Sequence, residues 1–269
     1  MTLEQMIALA IVQGVTEFLP ISSSGHLILV PVLTGWRDQG LLVDVMAHIG
    51  SLLAIVVYFW RDVLRLLGGT FELLRGRLTP DGRLALYIIA ATVPAVAFGL
   101  FVKATGIIDA VRGPHIVAWN AIIFALLMYA ADRWGAHGKQ MAEMSFWPAL
   151  VVGIAQAIAI IPGTSRSGIT ITAGRALGFN RADAARFSFL LGIPAIAGAG
   201  VLVLADALES QEPISSDAVV TGAFTFLTSL AAIAFLMTVL RRYSLLPFVV
   251  YRLALGALLL WLINTGTIG

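Results

Sequence analysis

The stretch Glu17-Phe-Leu-Pro-Ile-Ser-Ser-Ser-Gly-His26 decides the fold, because it places a carboxylate, three hydroxyls and an imidazole inside an otherwise apolar part of the chain. Between residues 18 and 36 there is no Asp, Glu, Lys or Arg. A carboxylate near the centre of a bilayer costs roughly 2.5–3.5 kcal/mol on insertion scales. An acid retained at that cost indicates a functional site at membrane depth.

The composition predicts a multi-span membrane protein. Of the 269 residues 59% are hydrophobic and 12% are charged, whereas a soluble domain carries about 25% charged residues. The absence of cysteine excludes disulfides and thiolate metal sites. A net charge of +2 is too small to indicate a nucleic-acid partner, so membrane lipids are the expected surroundings.

Six runs without Asp, Glu, Lys or Arg are candidate transmembrane helices, since about 20 apolar residues span a bilayer. They are 45–60, 84–102, 116–131, 187–205, 218–240 and 253–269. Two further apolar stretches, 5–36 and 144–178, are each interrupted by Pro, Gly and hydroxyl residues. Irregular backbone is tolerated at membrane depth only where protein or a wet cavity surrounds it. The predicted fold is all-α integral membrane, with six transmembrane helices plus two re-entrant helical hairpins in one domain, 1–269.

The second interruption, Pro162-Gly-Thr-Ser-Arg-Ser-Gly168, repeats the spacing of the first. Gln13 and Gly25 are separated by 12 residues, and so are Gln156 and Gly168, at an offset of 143. We call residues 17–26 and 162–168 the first and second breaks. The offset predicts an inverted-topology repeat, with halves of about 1–134 and 144–269 and the two breaks meeting near the bilayer centre.

The positions of Lys and Arg predict the orientation, because cytoplasmic loops carry the excess of positive charge. If the first hairpin enters from outside, three basic residues lie outside (Arg37, Lys103 and Arg112) and Arg166 lies at depth. Both termini are then outside. The other thirteen basic residues are then cytoplasmic: Arg61, Arg65, Arg75, Arg77, Arg83, Arg133, Lys139, Arg175, Arg181, Arg186, Arg241, Arg242 and Arg252.

The two breaks together are suited to binding phosphate. Helix N-termini at broken hairpins leave backbone N–H groups free and carry a partial positive charge. Arg166 adds a planar guanidinium that matches phosphate oxygens. The expected substrate-binding residues are Gln13, Ser22, Ser24, Gly25, Gly163, Ser165, Ser167, Gly168 and Thr170.

The first break supplies the candidates for chemistry. Glu17 could hold a divalent cation, orient a base or take a proton itself. Ser23 and His26 are candidates for nucleophile and general base, or His26 activates water while Ser23 only binds phosphate. The sequence does not separate these assignments. Arg166 could instead be a structural ion-pair partner of Glu17. His48 could line the same cavity but is better explained as a structural residue.

These residues resemble the undecaprenyl-diphosphate phosphatase family, the integral-membrane bacitracin-resistance enzymes. The first break with Gln13 fits the family's Glu/Gln-x-x-x-Glu motif and the Ser-Gly-His run after it. The second break through Thr170 fits its Pro-Gly-x-Ser-Arg-Ser-Gly-x-Thr motif, and a later run, Phe187-Ser-Phe-Leu-Leu-Gly-Ile-Pro, also agrees. Gln13 leaves Glu17 as the one acid of the first motif, which weakens a two-carboxylate metal site there.

The resemblance implies removal of the terminal phosphate of undecaprenyl diphosphate, which recycles the lipid carrier for peptidoglycan synthesis. It implies catalytic roles for Glu17, Ser23, His26 and Arg166, with Ser22, Ser165 and Thr170 binding phosphate. It also implies a divalent cation (Mg²⁺ or Ca²⁺), for which Glu17 is the expected ligand, and a multi-pass protein of the bacterial inner membrane whose site opens to the outer side. A homodimer is left open.

Three other functions fit the sequence less well. A polyprenyl-phosphate flippase or anion transporter would share the inverted repeat and the need for Arg166, but not the need for Ser23 beside Glu17 and His26. A phosphatidic-acid-type phosphatase expects histidine at position 172, where this chain has Thr. A structural scaffold leaves the cost of Glu17 and Arg166 in the membrane unexplained.

Overall fold

The computed structural model describes residues 1–36, 40–107, 113–135, 138–209 and 215–268. In these ranges the chain forms eleven α-helices and one short 3₁₀-helix, Met141–Glu143. The α-helices are α1 Leu3–Thr16, α2 Ser23–Thr34, α3 Leu41–Tyr58, α4 Trp60–Leu74, α5 Pro80–Thr105, α6 Pro114–Trp134, α7 Phe146–Ile158, α8 Arg166–Ala176, α9 Arg181–Glu209, α10 Ser216–Leu240 and α11 Leu246–Asn264.

The expected all-helical, multi-span membrane fold is confirmed. Five helices, namely α5, α6, α9, α10 and α11, are long and apolar enough to cross a membrane, and the bent pair of α3 and α4 supplies a sixth candidate. Each of the six charge-free runs coincides largely with one of these helices. The helices extend past the runs because their charged flanks continue the helical backbone.

Helix α4 was not predicted. It turns by 87° from α3 after Tyr58, and its four charged side chains leave no long charge-free run in this part of the sequence. Its large apolar side chains instead follow helical spacing and are exposed along one stripe: Trp60, Leu64, Leu67, Phe71 and Leu74. This pattern is typical of a helix that lies along a membrane surface.

The two hairpins fold alike at the predicted offset. In the described ranges, Ser22 and Ser165 are the two non-glycine residues with positive φ, at 78° and 72°. The Oγ of Ser22 accepts the N–H of Gly25, and the Oγ of Ser165 accepts the N–H of Gly168. At both breaks the chain therefore turns at a serine with positive φ, whose hydroxyl accepts a backbone N–H of the helix that follows.

Each hairpin packs against the opposite half of the chain. Helix α1 packs on α10 and α7 packs on α5, while α3 packs on α9 and α6 packs on α11. Small residues allow the close approach, since a Cβ at Gly153 would lie 2.2 Å from the Ala91 carbonyl oxygen. This exchange supports a two-fold relation between the halves, whose boundaries stay a prediction.

Candidate active site

The two breaks lie against each other. Arg166 Nη2 donates to Glu17 Oε1 at 2.8 Å, and both side chains are largely buried. The hydroxyl of Ser167 donates across the same junction to the carbonyl of Leu19 at 3.2 Å. Residues 149 positions apart thus form one polar cluster surrounded by apolar helices.

Glu17, at the C-terminal end of α1, is the centre of this cluster. While Oε1 pairs with Arg166, Oε2 accepts from Ser23 Oγ at 2.7 Å and from Gln13 Nε2 at 3.2 Å. His48 Nε2 lies 3.9 Å from the same oxygen, so α3 also contributes a side chain to the site. The closest proton acceptor described for Ser23 is therefore the Glu17 carboxylate.

His26 is held in a different direction from Ser23. Its Nδ1 lies 2.6 Å from the Ser22 carbonyl oxygen, which can only accept, so Nδ1 carries the hydrogen. Its Nε2 then accepts the hydroxyl of Tyr251 at 2.7 Å, and the two rings stack at an interplanar angle of 13°. None of the described contacts of His26 reaches Ser23. A separation of three positions on α2 does not by itself pair the two side chains.

Helix α9 forms the wall behind Arg166. The carbonyl of Ser188 accepts from Arg166 Nη1 at 3.3 Å. A Cβ at Gly192 would lie 2.3 Å from the same nitrogen, so only glycine leaves room for the guanidinium in this position. Neither residue was predicted for the site, although both lie in the run 187–194 that fits the family.

The hydroxyls of the second break are engaged within the protein. Thr170 Oγ1 donates to the Arg166 carbonyl at 2.7 Å and lies 2.6 Å from Ser188 Oγ. Ser165 caps the first turn of α8, and Ser167 contacts the first hairpin. All three predicted ligands are buried. Their geometry supports the positions of Arg166 and α8, while direct phosphate binding by them stays a prediction.

The predicted glycines permit close packing. Gly163 has a φ of +85°, and a Cβ there would lie 2.7 Å from the Val117 carbonyl oxygen on α6. Gly25 faces the Val117 side chain in the same way, and Gly168 faces Ser165. Ser24 lies in the first turn of α2, but its side chain is outside the described part of the structure.

The assignment of Arg252 to the cytoplasmic set was wrong. Its side chain is fully buried, and it donates to carbonyls of both breaks and of α6. These carbonyl oxygens replace water around the guanidinium. Because the buried Arg252 does not end the helix, α11 begins at Leu246, seven residues before the charge-free run that was predicted as the last span.

The described residues do not form a cation site on their own. No group of three His, Asp or Glu side chains in the described ranges is arranged to hold a metal ion. Both oxygens of Glu17 are already engaged, one by a guanidinium and the other by a hydroxyl and an amide. The divalent cation expected at Glu17 stays a prediction, and no step below goes through it.

Comparison with known proteins places the chain among bacterial membrane enzymes. Residues 6–258 match the family described as bacitracin resistance protein BacA. The chain is similar to proteins named undecaprenyl-diphosphatase from Ruegeria pomeroyi (49% identical, covering 97% of this chain and 98% of the relative) and from Erythrobacter litoralis (47%, covering 97% and 99%). A relative of the same name from Maricaulis maris is 48% identical, covering 97% and 98%. The chain therefore belongs to the bacitracin resistance protein BacA family.

Proposed function

We propose that the chain removes the terminal phosphate of undecaprenyl diphosphate, releasing undecaprenyl phosphate and inorganic phosphate. The observation that carries this proposal is the junction of the two breaks, where a guanidinium, a carboxylate and a serine hydroxyl meet at 2.7–2.8 Å. The names of the relatives support the same substrate. The reaction returns the lipid carrier to peptidoglycan synthesis.

Arg166 and the N-terminus of α8 bind the diphosphate in this proposal. The guanidinium offers charge-assisted hydrogen bonds worth about 1.5–3 kcal/mol each to phosphate oxygens. Backbone N–H groups in the first turn of α8 add a partial positive charge. Arg166 exchanges part of its pairing with Glu17 for the substrate, which leaves the carboxylate free to accept a proton.

Ser23 is the nucleophile. Its Oγ forms a bond to the terminal phosphorus while the bond from that phosphorus to the bridging oxygen breaks, and undecaprenyl phosphate leaves with the electron pair. The Ser23 proton passes to Glu17 Oε2, its hydrogen-bond partner at 2.7 Å. Positioning and charge neutralisation are the main requirements of phosphoryl transfer.

His26 serves the second step. Once the Tyr251 hydroxyl turns aside, His26 Nε2 accepts a proton from the water that attacks the phosphoserine. As the bond between Ser23 Oγ and phosphorus breaks, Glu17 returns its proton to Ser23. Inorganic phosphate then leaves together with the proton that His26 releases, and both bases are free again. Glu17 and His26 therefore act as bases in different steps. Their hydrogen bonds support this assignment, since Glu17 contacts Ser23 whereas His26 contacts Tyr251.

We further propose that the site faces the outer side of the bacterial inner membrane. The amino group of Met1 lies 2.5 Å from Asp217, at the start of α10, which places two segments together that the predicted topology puts outside. The chain has no cysteine, so a single cysteine introduced at Ser216 or Tyr243 is the one target for a thiol reagent. The reagent can be added to the outer or the inner side of the membrane. Labelling of Ser216→Cys from outside and of Tyr243→Cys from inside is expected, and the reverse pattern would contradict the orientation.

Phosphate release from undecaprenyl diphosphate in detergent tests the activity. We expect turnover by the wild type and near-background rates for Glu17→Ala and Arg166→Ala; equal rates in all three would reject the site. With labelled substrate, His26→Ala should accumulate a phosphoenzyme and Ser23→Ala should form none. A wild-type level of hydrolysis in Ser23→Ala would contradict the phosphoserine and indicate that water attacks the terminal phosphorus directly.

Transport of the lipid is the second candidate function. The two breaks share a serine with positive φ at equivalent positions, and broken helices in inverted repeats are typical of many transporters. In vesicles, movement of undecaprenyl phosphate between leaflets by Glu17→Gln, in which hydrolysis is blocked, would establish transport as an independent activity. No movement above protein-free vesicles would exclude it.

A further inference from the structure

Arg252 on α11 binds both breaks at once through five backbone carbonyls. Its Nε donates to Ala121, Nη1 to Pro20 and Thr164, and Nη2 to Asn120 and Gly163, at 2.9–3.3 Å. A guanidinium has five N–H donors, and each has one acceptor here. We call this arrangement the carbonyl clamp. We infer that Arg252 is a positioning residue that sets the distance between the two breaks for hydrolysis, an inference that rests on the proposed function.

The acceptors lie next to the reacting groups along the chain. Pro20 stands between Glu17 and Ser23 in the first break, and Thr164 lies two positions before Arg166 in the second. Gly163 also lies in the second break, and the remaining two acceptors, Asn120 and Ala121, are on α6, which packs against α11. A shift of the guanidinium therefore moves both halves of the site, and a misplacement of about 1 Å can cost about 100-fold in rate.

A second buried arginine shows what is particular to Arg252. Arg175 is 1% exposed and Arg252 0%, but Arg175 pairs with the Asp132 carboxylate and the Phe179 carbonyl, at the opposite end of α8 from the second break. All described bonds of Arg252 go to neutral carbonyls. Among these contacts the charge of Arg252 has no carboxylate partner. Its Nη1 also lies close to the first turn of α8, at 3.2 Å from the position that a Cβ would take at Gly168.

Two substitutions separate the geometry of the clamp from its charge. Arg252→Lys keeps the charge but has at most three donors on one nitrogen, so we expect kcat to fall about 100-fold with little change in KM. Arg252→Met removes the charge as well, so KM should also rise. Arg175→Lys is the matched control, because it too replaces a buried guanidinium by an ammonium, and it should keep kcat and KM within about threefold.

Phosphate release and melting temperature are measured for all four proteins. Wild type without turnover would refute the proposed function rather than the clamp. If the wild type turns over but Arg252→Lys loses no more activity than Arg175→Lys at a similar fall in melting temperature, the clamp is refuted.

A second variant keeps the test decisive if Arg252 variants do not fold. The Asn120 side chain donates to the Pro162 carbonyl at 2.8 Å and fixes the second break to α6 beside the clamp. Asn120→Ala removes only that anchor, so we expect a roughly tenfold lower kcat at an unchanged melting temperature. An unchanged kcat in this variant would contradict positioning through this junction.

Discussion

The two breaks have the same backbone and different chemistry. Ser22 and Ser165 both have a positive φ, 78° and 72°, and each hydroxyl accepts the N–H of the glycine three residues later. Such a conformation is unfavourable for a residue with a Cβ, so its presence at both equivalent positions indicates a shared local design. The backbone therefore accounts for two turns that an anion can approach, but not for catalysis.

The side chains around these turns have diverged. At the offset of 143, Glu17 corresponds to Ile160, Ser23 to Arg166 and His26 to Ile169. The first break thus carries the acid, the hydroxyl and the imidazole, whereas the second carries the cation. A site assembled across the junction brings a proton acceptor and a phosphate binder face to face, which two identical breaks would not do.

Replacing the guanidinium of the second break should have the largest effect. Arg166→Lys keeps a positive charge but not the planar fork that binds Glu17 and Ser188 together. We expect kcat/KM for phosphate release to fall about 1,000-fold, in line with arginines that stabilise phosphoryl transfer. The exposed Arg242 provides the control. Rates within threefold of wild type for both Arg166→Lys and Arg242→Lys would show that the fork is not needed.

Neutralising the acid of the first break comes next. Glu17→Gln preserves the side-chain shape but removes the acceptor for the Ser23 proton. General-base catalysis contributes about 100- to 10,000-fold, so we expect a loss of at least 100-fold in kcat. Glu4→Gln, on the exposed face of the same helix, should change nothing. Equal kcat for Glu17→Gln and wild type would assign the base elsewhere.

A methyl group behind Arg166 should have an intermediate effect. In Gly192→Ala the new Cβ would meet the guanidinium at 2.3 Å, so Arg166 has to leave its position. We expect kcat to fall about tenfold for a shift below 1 Å, while helix stability rises by up to about 1 kcal/mol. Gly198→Ala, on the same helix and with no atom within 4 Å of its Cβ, is the control. Similar kinetics in the two variants would place the guanidinium elsewhere in solution.

Substitution of the two equivalent glutamines, Gln13 and Gln156, should have the smallest effect and compares the two breaks at matching positions. Gln13 and Gln156 are both buried at matching positions, but Gln13 donates to Glu17 whereas residue 160, four positions after Gln156, is Ile. Loss of one hydrogen bond to a charged group is worth about 1.5–3 kcal/mol, and at the lower end of that range Gln13→Ala should lower kcat/KM about tenfold. Gln156→Ala should stay within twofold. A larger effect at Gln156 would mean that the second hairpin takes part in chemistry through that amide.

The spans and hairpins were predictable from the sequence because the signals are local. Runs of apolar residues, and their interruption by Pro, Gly and Ser, report directly on membrane crossing. The offset between the breaks, read from Gln13 and Gly25, also appears in the backbone as the pair Ser22 and Ser165. The resemblance to a family correctly indicated the chain's membership.

Long-range contacts were not predictable. Arg252 was misplaced because a charge count does not show that carbonyls of three distant segments surround the guanidinium. Tyr251 and Gly192 reach the site from α11 and α9, which carry no polar break. Helix α4 was missed because its apolar residues form a stripe rather than a run.

Locating a transition-state analogue of phosphoryl transfer tests the joined site most directly, since such analogues bind more tightly than substrates. In an experimental structure with orthovanadate, we expect the vanadium beside Ser23 Oγ and its equatorial oxygens on the Arg166 guanidinium. Vanadate in the separate cavity lined by Arg65, Arg83 and Arg186, with Ser23 and Arg166 still bonded to Glu17, would contradict a phosphatase site at the two breaks.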